Sequence, residues 1–322
     1  MGTWHEDLTL RLREAGLESL SPLRRPYVKV LLGTSVDGVV KYGDYKVRII
    51  EKINHAGEVN RARYMPQKPV IIATKTVSGE VHLFDYTMHP STPSRQQSSP
   101  YLRLAGHSAE GHGLAWSKEG YLLSGSYDAM ICLWDTNSGG SRSGILPPLH
   151  SFQCSSTDAV GDVAWHSDSD ELFGSVGDDG KLLIWDHRAS TRPTQTVKVN
   201  GKGLNCLAFE PRNKELVAMG SADGTLAMHD LRQLSRPLHN LLTHEGEVTL
   251  VVWDLTRIDT QEDATSSASG AAPRPKPLFT HVDHSSMVPD FSWSEISEGM
   301  IASIDADNSL QIWQMATSVY HP

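Results

Sequence analysis

Short stretches in which hydrophobic and polar residues alternate recur along most of the chain. Six of them end in an aromatic residue: EVNRARY, EGHGLAW, AVGDVAW, GLNCLAF, EVTLVVW and MVPDFSW. A period of two is the pattern of a β-strand with one buried face. A loose helical pattern, with leucines among charged residues, is confined to about residues 4–19. The alternation predicts an all-β protein with a short helix near the N-terminus.

A longer repeat is superimposed on these strands. The segments SGSYDAMICLWD, GSVGDDGKLLIWD, GSADGTLAMHD and SIDADNSLQIWQ share a small-residue start, an aspartate turn and a final alternating strand. The closing positions Asp85, Asp135, Asp186 and Asp230 are 50, 51 and 44 residues apart, near the WD-repeat period of about 40 to 45 residues. About four strands per repeat form one propeller blade. We therefore predict a WD-repeat β-propeller over residues 26–317, between an N-terminal segment (1–25) and a C-terminal tail (318–322).

The composition favours a binding protein over an enzyme. The 322-residue chain has 38 acidic and 29 basic residues and a formal net charge of -9, which disfavours broad contact with nucleic acid and suits a basic partner. Its three separated cysteines indicate neither a disulfide framework nor a zinc cluster. The sequence contains no run of about 18 apolar residues and no motif of a serine hydrolase, P-loop protein or zinc protease. We predict a soluble, non-catalytic protein that needs no metal or cofactor and contacts no membrane.

The histidines and aspartates of the repeats are predicted to be structural. In a WD blade a histidine and a turn aspartate form hydrogen bonds that hold strands together, and buried polar groups require such partners. We assign this role to His107, His244 and His284, with Asp128, Asp179, Asp223 and Asp307 as turn aspartates. The tryptophans that close the alternating strands are expected to pack between blades; they are Trp116, Trp165, Trp253 and Trp293.

Polar residues form two columns when the strands are aligned on their closing aromatic residue. Four residues before the aromatic lie Asn60, His112, Gly161, Asn205, Thr249 and Pro289, and six residues before it lie Glu58, Glu110, Ala159, Gly203, Glu247 and Met287. Positions two apart on a strand point to one face. The glutamates and asparagines could therefore gather at one opening and accept hydrogen bonds from Lys or Arg of an extended basic peptide. A solvated polar rim without a ligand is the alternative.

Several long segments resemble the retinoblastoma-binding, histone-binding WD-repeat family, over roughly residues 51–317. They include INHAGEVNRARYMPQKPVIIATK, GEVHLFDYTMHP, LRLAGHSAEGHGLAW and ELFGSVGDDGKLLIWDHR. The resemblance implies nominally seven blades and a non-catalytic subunit of chromatin assembly, histone acetyltransferase, deacetylase, Polycomb and remodelling complexes. It implies core histones as partners, no direct contact with nucleic acid, and localisation in the nucleus, with the cytoplasm as a second compartment. A general WD-repeat adaptor, such as a ubiquitin-ligase substrate receptor, is the alternative function.

The resemblance also implies which residues bind a histone tail. The matching positions are Glu58, Asn60, Arg61, Glu110, His112, Asn205 and Glu247. The family usually has an aromatic residue at the positions of His112 and Thr249, and an acidic residue at the position of Gly161. These departures lead us to expect weaker tail binding or a different specificity.

A second histone site of the family, which holds a helix, is altered in this chain. Phe279 and Asp263 match its pocket, but the loop at about residues 257–277 is rich in Ser, Ala and Pro and is expected to be flexible. In the same blade, HEGEVTLVVW runs directly into DLTRI, so about twenty residues, two strands of a four-stranded blade, are missing relative to the family. We predict that this blade retains only an inner strand and lacks its middle strands, because the sequence is a shortened gene model or splice form. A ring that closes imperfectly with exposed strand edges and a six-bladed arrangement are the alternatives.

Overall fold

The fold is known from a computed structural model. The structure describes residues 53–90, 99–138, 144–154, 157–242, 249–258, 276–294, 298–307 and 309–320. The helix predicted over about residues 4–19 lies outside these ranges. The described residues belong to two compact units, within Ile50–Leu242 and within Thr243–Pro322.

The first unit consists of four antiparallel blades in which the strands follow one another along the chain. The first blade comprises β1 (Val59–Met65), β2 (Lys68–Thr76), β3 (Val81–Asp85) and β4 (Leu102–Leu104); the second comprises β5 (Gly113–Trp116), β6 (Tyr121–Gly125), β7 (Met130–Asp135) and β9 (His150–Gln153). The third comprises β10 (Val160–Trp165), β11 (Leu172–Gly177), β12 (Lys181–Asp186) and β13 (Gln195–Lys198); the fourth comprises β14 (Leu204–Phe209), β15 (Leu216–Ser221), β16 (Thr225–Asp230) and β17 (Pro237–Leu242). The prediction of an all-β fold with four strands per repeat is confirmed here.

The first blade gains a fifth strand from the chain of the second. The short strand β8 (Ile145–Leu146) pairs in parallel with the outer strand β4, and Arg103 lies opposite Ile145. A 3-10 turn, Tyr86–Met88, follows β3. The outer edge of the first blade is therefore covered by a segment that the repeat pattern did not predict.

Apolar side chains are buried between consecutive blades rather than within each blade. Leu83 and Leu104 of the first blade share a core cluster with Leu122 and Trp134 of the second. Trp116 Nε1 donates to the main-chain oxygen of Arg63 at 2.9 Å, and Trp165 Nε1 donates to that of Ala115 at 3.0 Å. Each of these indoles thus bonds to the first strand of the preceding blade, which we call the inner strand; the fourth is the outer strand. These bonds confirm the predicted packing role of Trp116 and Trp165.

The second unit contains a two-stranded and a three-stranded antiparallel sheet. Its strands are β18 (Leu250–Val252), β19 (Phe279–His281), β20 (Asp290–Trp293), β21 (Met300–Ile304) and β22 (Leu310–Gln314), and its short helices are Leu255–Ile258 and Thr317–Tyr320. Val252 and Phe279 of the smaller sheet share a core cluster with Ile301 and Trp313 of the larger sheet.

The two-stranded sheet confirms that this blade lacks its middle strands, but the prediction that only an inner strand remains was wrong. Its inner strand β18 pairs directly with β19, and Val252 lies opposite Phe279. In the complete blades two middle strands stand between the inner and the outer strand. Most of the loop predicted at about residues 257–277 lies outside the described ranges. The blade has therefore kept both its inner and its outer strand.

Hydrogen bonds around a buried tryptophan connect the strands of the three-stranded sheet. Ser303 Oγ accepts from Trp313 Nε1 at 3.0 Å and lies 2.7 Å from His284 Nε2. His284 Nδ1 lies 3.1 Å from Asp305 Oδ2. The prediction that Asp307 is the turn partner was therefore wrong. Asp305 takes this role because its other oxygen also accepts from the main-chain nitrogens of its own turn.

The repeats of the first unit differ at the position that His284 occupies. His107 fills it in the second blade, with Nδ1 at 3.2 Å from Asp128 Oδ2, as predicted. Burial alone would raise the pKa of Asp128, but hydrogen bonds from His107 and from the main chain lower it far below its usual value. In the fourth blade Asn200 Nδ2 donates to Asp223 Oδ2 at 2.9 Å. His244 lies outside the described ranges.

In the third blade a cysteine occupies the histidine position. Cys154 Sγ lies 3.8 Å from Ser175 Oγ, which accepts from Trp185 Nε1 at 2.9 Å. The turn aspartate Asp179 is paired with Lys181 Nζ at 2.9 Å instead. Burial raises the pKa of the Cys154 thiol to about 12, so this side chain stays neutral and contributes only a weak hydrogen bond.

Candidate functional site

Three inner strands of the first unit carry a β-bulge at the same position. The ladder between β1 and β2 shifts between Val59 and Arg61, so that Asn60 is the extra residue. The corresponding shifts in the third and fourth blades leave out Gly161 and Asn205. Bulges re-aim side chains and are common beside functional sites. The column predicted four residues before the closing aromatic residue therefore coincides with a break in the strand pairing.

A hydrogen bond joins the two polar columns across the first and second blades. Asn60 Nδ2 donates to Glu110 Oε2 at 2.9 Å and to the main-chain oxygen of Gly111 at 3.3 Å. Glu58 is exposed directly before β1. We name Glu58, Asn60, Glu110 and His112 the rim site. The structure brings Asn60 and Glu110 into contact, and their predicted binding of a histone tail stays a prediction.

His112 is paired with a residue that the sequence reasoning missed. Tyr127 Oη lies 2.7 Å from His112 Nδ1, and the two ring centroids are 5.7 Å apart. Burial, with a smaller contribution from the charge of Arg61, lowers the pKa of His112, so its imidazole is neutral at pH 7. Tyr127 lies 15 residues from His112, directly before the turn aspartate of its repeat, at a position where the next two blades have Asp178 and Ala222.

Arg61 lies close enough to the buried side chain of Asp162 to change its pKa. Asp162 accepts from the main-chain nitrogens of Val163 at 3.0 Å and Leu207 at 3.1 Å. Burial raises the pKa of Asp162, and the charge of Arg61 opposes this shift. Arg61 therefore lies within electrostatic range of Asp162, and its predicted contact with a histone tail stays a prediction.

The structure leaves no room for a side chain at Gly161. A Cβ atom at this position would approach the main-chain oxygen of Leu204 to 2.5 Å. Atoms this close are in severe overlap, so β14 would have to move before residue 161 could carry any side chain. The third blade therefore contributes no carboxylate at this column.

Among the described residues, the structure shows no contact between the rim site and the other predicted site residues, Asn205 and Phe279. Asn205 is exposed at the bulge of β14. Glu247 and Asp263 lie outside the described ranges. Phe279 is 7% exposed and packs against Trp313 with ring centroids 5.5 Å apart. Its ring thus belongs to the core of the second unit, and its role in a helix pocket stays a prediction.

The rim site can bind through hydrogen bonds and charge. Within the described ranges no group of three or more His, Cys, Asp or Glu residues has an arrangement that could hold a metal ion. No helix in the same ranges is long and apolar enough to cross a membrane. Carboxylate and amide oxygens at the end of β-strands suit the cationic side chains of a peptide.

The stacked antiparallel blades and their buried tryptophans define a WD-repeat β-propeller protein. The WD domain, G-beta repeat, family matches residues 98–135 and 146–186. A chain of the crystal structure of the mitotic checkpoint complex superimposes with a TM-score of 0.60 over 80% of this chain and 75% of that chain. At 18% identity this likeness shows the fold alone.

The WD-40 repeat-containing protein MSI3 of Arabidopsis thaliana is 43% identical over 297 residues, which are 85% of this chain and 69% of that protein. The chain therefore belongs to the MSI family of WD-repeat proteins, the retinoblastoma-binding, histone-binding family that its motifs resemble.

Proposed function

We propose that this protein is a non-catalytic, histone-binding scaffold subunit of chromatin assembly and modifying complexes. It binds the basic N-terminal tail of a core histone at the rim site and works in the nucleus, with the cytoplasm as a second compartment. The observation that carries the proposal is the bond between Asn60 and Glu110 beside the exposed Glu58. This bond holds a carboxylate in place at the end of the inner strands before any ligand arrives.

The charges of the rim site fit a lysine- or arginine-rich ligand. Asn60 engages only Oε2 of Glu110, so Oε1 can accept from a cationic side chain. Hydrogen bonds between charged groups are stronger than neutral ones, and the net charge of -9 steers basic ligands toward the protein. Membership of the MSI family of WD-repeat proteins supports the proposal.

Charge-neutral variants of the rim site test the proposal. Glu110→Gln and Glu58→Gln should each weaken binding of a core-histone tail peptide about tenfold, because each removes a charge-assisted hydrogen bond. Calorimetry at physiological ionic strength measures the change. Glu119→Gln is the matched control, since Glu119 is exposed beyond the opposite end of β5. Equal effects of Glu110→Gln and Glu119→Gln would contradict the proposal.

A general WD-repeat adaptor is the second candidate function. Gly161 leaves the third blade without the acidic residue of the family, and His112 replaces an aromatic one. Both changes remove ligand contacts that the family resemblance implies. A folded protein that captures none of the separated core histones, even at low salt, would favour the adaptor over the histone-binding scaffold.

A further inference from the structure

Two loops of consecutive blades share a pattern of arginines around a hydroxyl residue. The third blade has DHRASTRP over residues 186–193, and the fourth blade has DLRQLSRP over residues 230–237. We name these two segments the arginine loops. Each follows the third strand of its blade, at the end opposite to the bulges at Gly161 and Asn205. The arginine loops therefore lie at the other end of the strands from the rim site.

The first arginine of each loop is held by a carboxylate on the protein surface. Arg188 Nη1 donates to Glu171 Oε1 at 3.0 Å, and Arg232 Nη2 donates to Asp230 Oδ2 at 2.6 Å. Both arginines are exposed. Ion pairs between exposed side chains are weak, so a binding partner can take over these guanidinium groups at small cost.

The second arginine of each loop is free to bind a partner. Among the described residues, no hydrogen bond or ion pair involves the side chain of Arg192 or Arg236, and both residues are exposed. Each loop contains two arginines and one aspartate and so has a formal charge of +1, within a chain of formal net charge -9. The arginine loops are therefore basic places on an acidic protein, which suits a partner with an acidic groove.

The hydroxyl residue between the two arginines is accessible. Thr191 and Ser235 are exposed and lie outside the strands. In the part of the chain that the structure describes, neither residue forms a hydrogen bond through its hydroxyl group or its main chain. An enzyme can therefore bind either segment without breaking the strand pairing of the blade.

We propose that Thr191 and Ser235 are phosphorylated by an arginine-directed protein kinase, with ATP as the donor. In each transfer a bond forms between the hydroxyl oxygen and the γ-phosphorus of ATP, the bond from that phosphorus to the bridging oxygen breaks, and ADP leaves. The hydroxyl proton passes to the catalytic aspartate of the kinase. Arg188 and Arg232 determine the specificity, because an acidic substrate groove recognises an arginine near the reacting hydroxyl by charge-assisted hydrogen bonds.

Phosphorylation reverses the charge of the arginine loops. A phosphate group adds about -1.5 to -2 charges at pH 7, so the formal charge of each loop changes from +1 to about -1. The free guanidinium group of Arg192 or Arg236 follows the phosphate directly and can bind it through two hydrogen bonds. The modified surface then favours cationic partners where the unmodified one favours anionic partners. This proposal is independent of histone-tail binding, because the rim site is not modified.

A kinase assay on the folded full chain tests the proposal. After incubation with ATP and the catalytic subunit of cyclic-AMP-dependent protein kinase, peptide mass spectrometry should locate phosphate on Thr191 and Ser235. Ser138 is the internal control and should stay unmodified. It is exposed after the third strand of the second blade, and Asp135 stands three residues before it. Absence of phosphate from both arginine loops, or equal phosphate on Ser138, would overturn the proposal.

Variants of the first arginine test how the kinase recognises the loops. Arg188→Ala should slow phosphorylation of Thr191 about tenfold, and Arg232→Ala should do the same for Ser235, because each removes a charge-assisted hydrogen bond to the kinase. Arg212→Ala is the matched control, since Arg212 is exposed in the fourth blade outside both loops. Circular dichroism checks that the variants are folded. Unchanged rates with both loop variants, or an equal loss with Arg212→Ala, would overturn the recognition by arginine.

The phosphate itself reports whether the second arginine binds it. The second pKa of an isolated phosphate monoester is about 6, and a neighbouring guanidinium group favours the dianion. The phosphate on Thr191 should therefore titrate at a lower pH in the folded protein, and Arg192→Gln should raise its pKa toward about 6. Phosphorus NMR over a pH titration measures the shift, with Arg212→Gln as the control. An unchanged pKa in Arg192→Gln would overturn the pairing of the phosphate with the second arginine.

Discussion

The second blade and the two-stranded sheet are each followed by an inner strand that ends in tryptophan. After the complete second blade, Trp165 bonds to Ala115 and its ring lies 6.5 Å from that of Tyr121 on a middle strand. After the sheet of β18 and β19, the equivalent Trp293 remains 48% exposed. Because β18 pairs directly with β19, main-chain pairing between an inner and an outer strand does not need the middle strands. Their contribution is the apolar surface that buries the next aromatic residue.

The largest expected effect tests this difference directly. Trp165→Ala should lower the free energy of unfolding by about 3 kcal/mol, as for other large-to-small changes at packed sites. Trp293→Ala should cost less than about 1 kcal/mol, because an exposed side chain leaves little cavity when it is removed. Urea denaturation of both variants, with limited proteolysis to assign each transition to a unit, measures the costs. Similar costs for the two variants would show that the middle strands have no such role.

A smaller effect compares the His–Asp pairs of the two units. Asp128→Asn should destabilise the first unit by about 2 kcal/mol, because the buried His107 loses its charged partner. The pKa of Asp128 is lowered on folding, so its stabilising contribution is present above about pH 4 and is lost as the pH falls below that value. The difference between the wild type and Asp128→Asn should therefore shrink in acid.

Asp305→Asn provides the matched change in the three-stranded sheet. Burial would raise the pKa of Asp305, but hydrogen bonds from the main chain and His284 lower it overall. Amide hydrogen exchange should show lost protection in the unit that carries each substitution. If Asp305→Asn removed the protection of amide hydrogens throughout the chain, the three-stranded sheet would unfold cooperatively with the first unit. That result would contradict the expected difference between the two units.

The smallest expected effect is a gain of stability in the third blade. Cys154→His would place an imidazole beside Ser175 and Asp179, where a small cavity is lined by all three residues. One added hydrogen bond is worth about 1 kcal/mol, which should raise Tm by about 2 to 4 °C. Thermal unfolding followed by circular dichroism measures the shift, with Cys154→Ala as the control that adds no bond. A Tm below that of the wild type would mean that the imidazole does not fit.

Sequence periodicity predicted the features that depend on repetition. The column of Trp116 and Trp165 follows from aligning the strands, and so does the placement of Asn60 and Glu110 in polar columns of neighbouring blades, whereas the bond between them does not. The incomplete blade was also visible, because a missing pair of strands interrupts the spacing of the repeats. Each of these features appears in the sequence as a residue type, or as a gap, at a regular spacing along the chain.

Features that depend on local geometry could not be predicted in this way. The bulge at Asn60 has no residue signature, since Gly161 and Asn205 occupy the same position in other blades. Asp305 and Asp307 lie in one turn, and only the course of the main chain decides which carboxylate faces His284. Tyr127 stands at a repeat position that Asp178 and Ala222 occupy in the next two blades, and the repeat pattern does not show that its side chain bonds to His112.

The antiparallel pairing of β18 with β19 has a consequence for how such a repeat can be shortened. Strand direction reverses at every step of an antiparallel sheet, so removing one strand would leave its neighbours pointing the same way. Removing a whole hairpin takes away two strands, so the flanking strands still run in opposite directions. They can then bond as antiparallel neighbours. Deletions inside a repeat are thus tolerated by topology in multiples of two strands. A blade can therefore lose a whole β-hairpin while the strands on either side of it remain paired and connected in the same order.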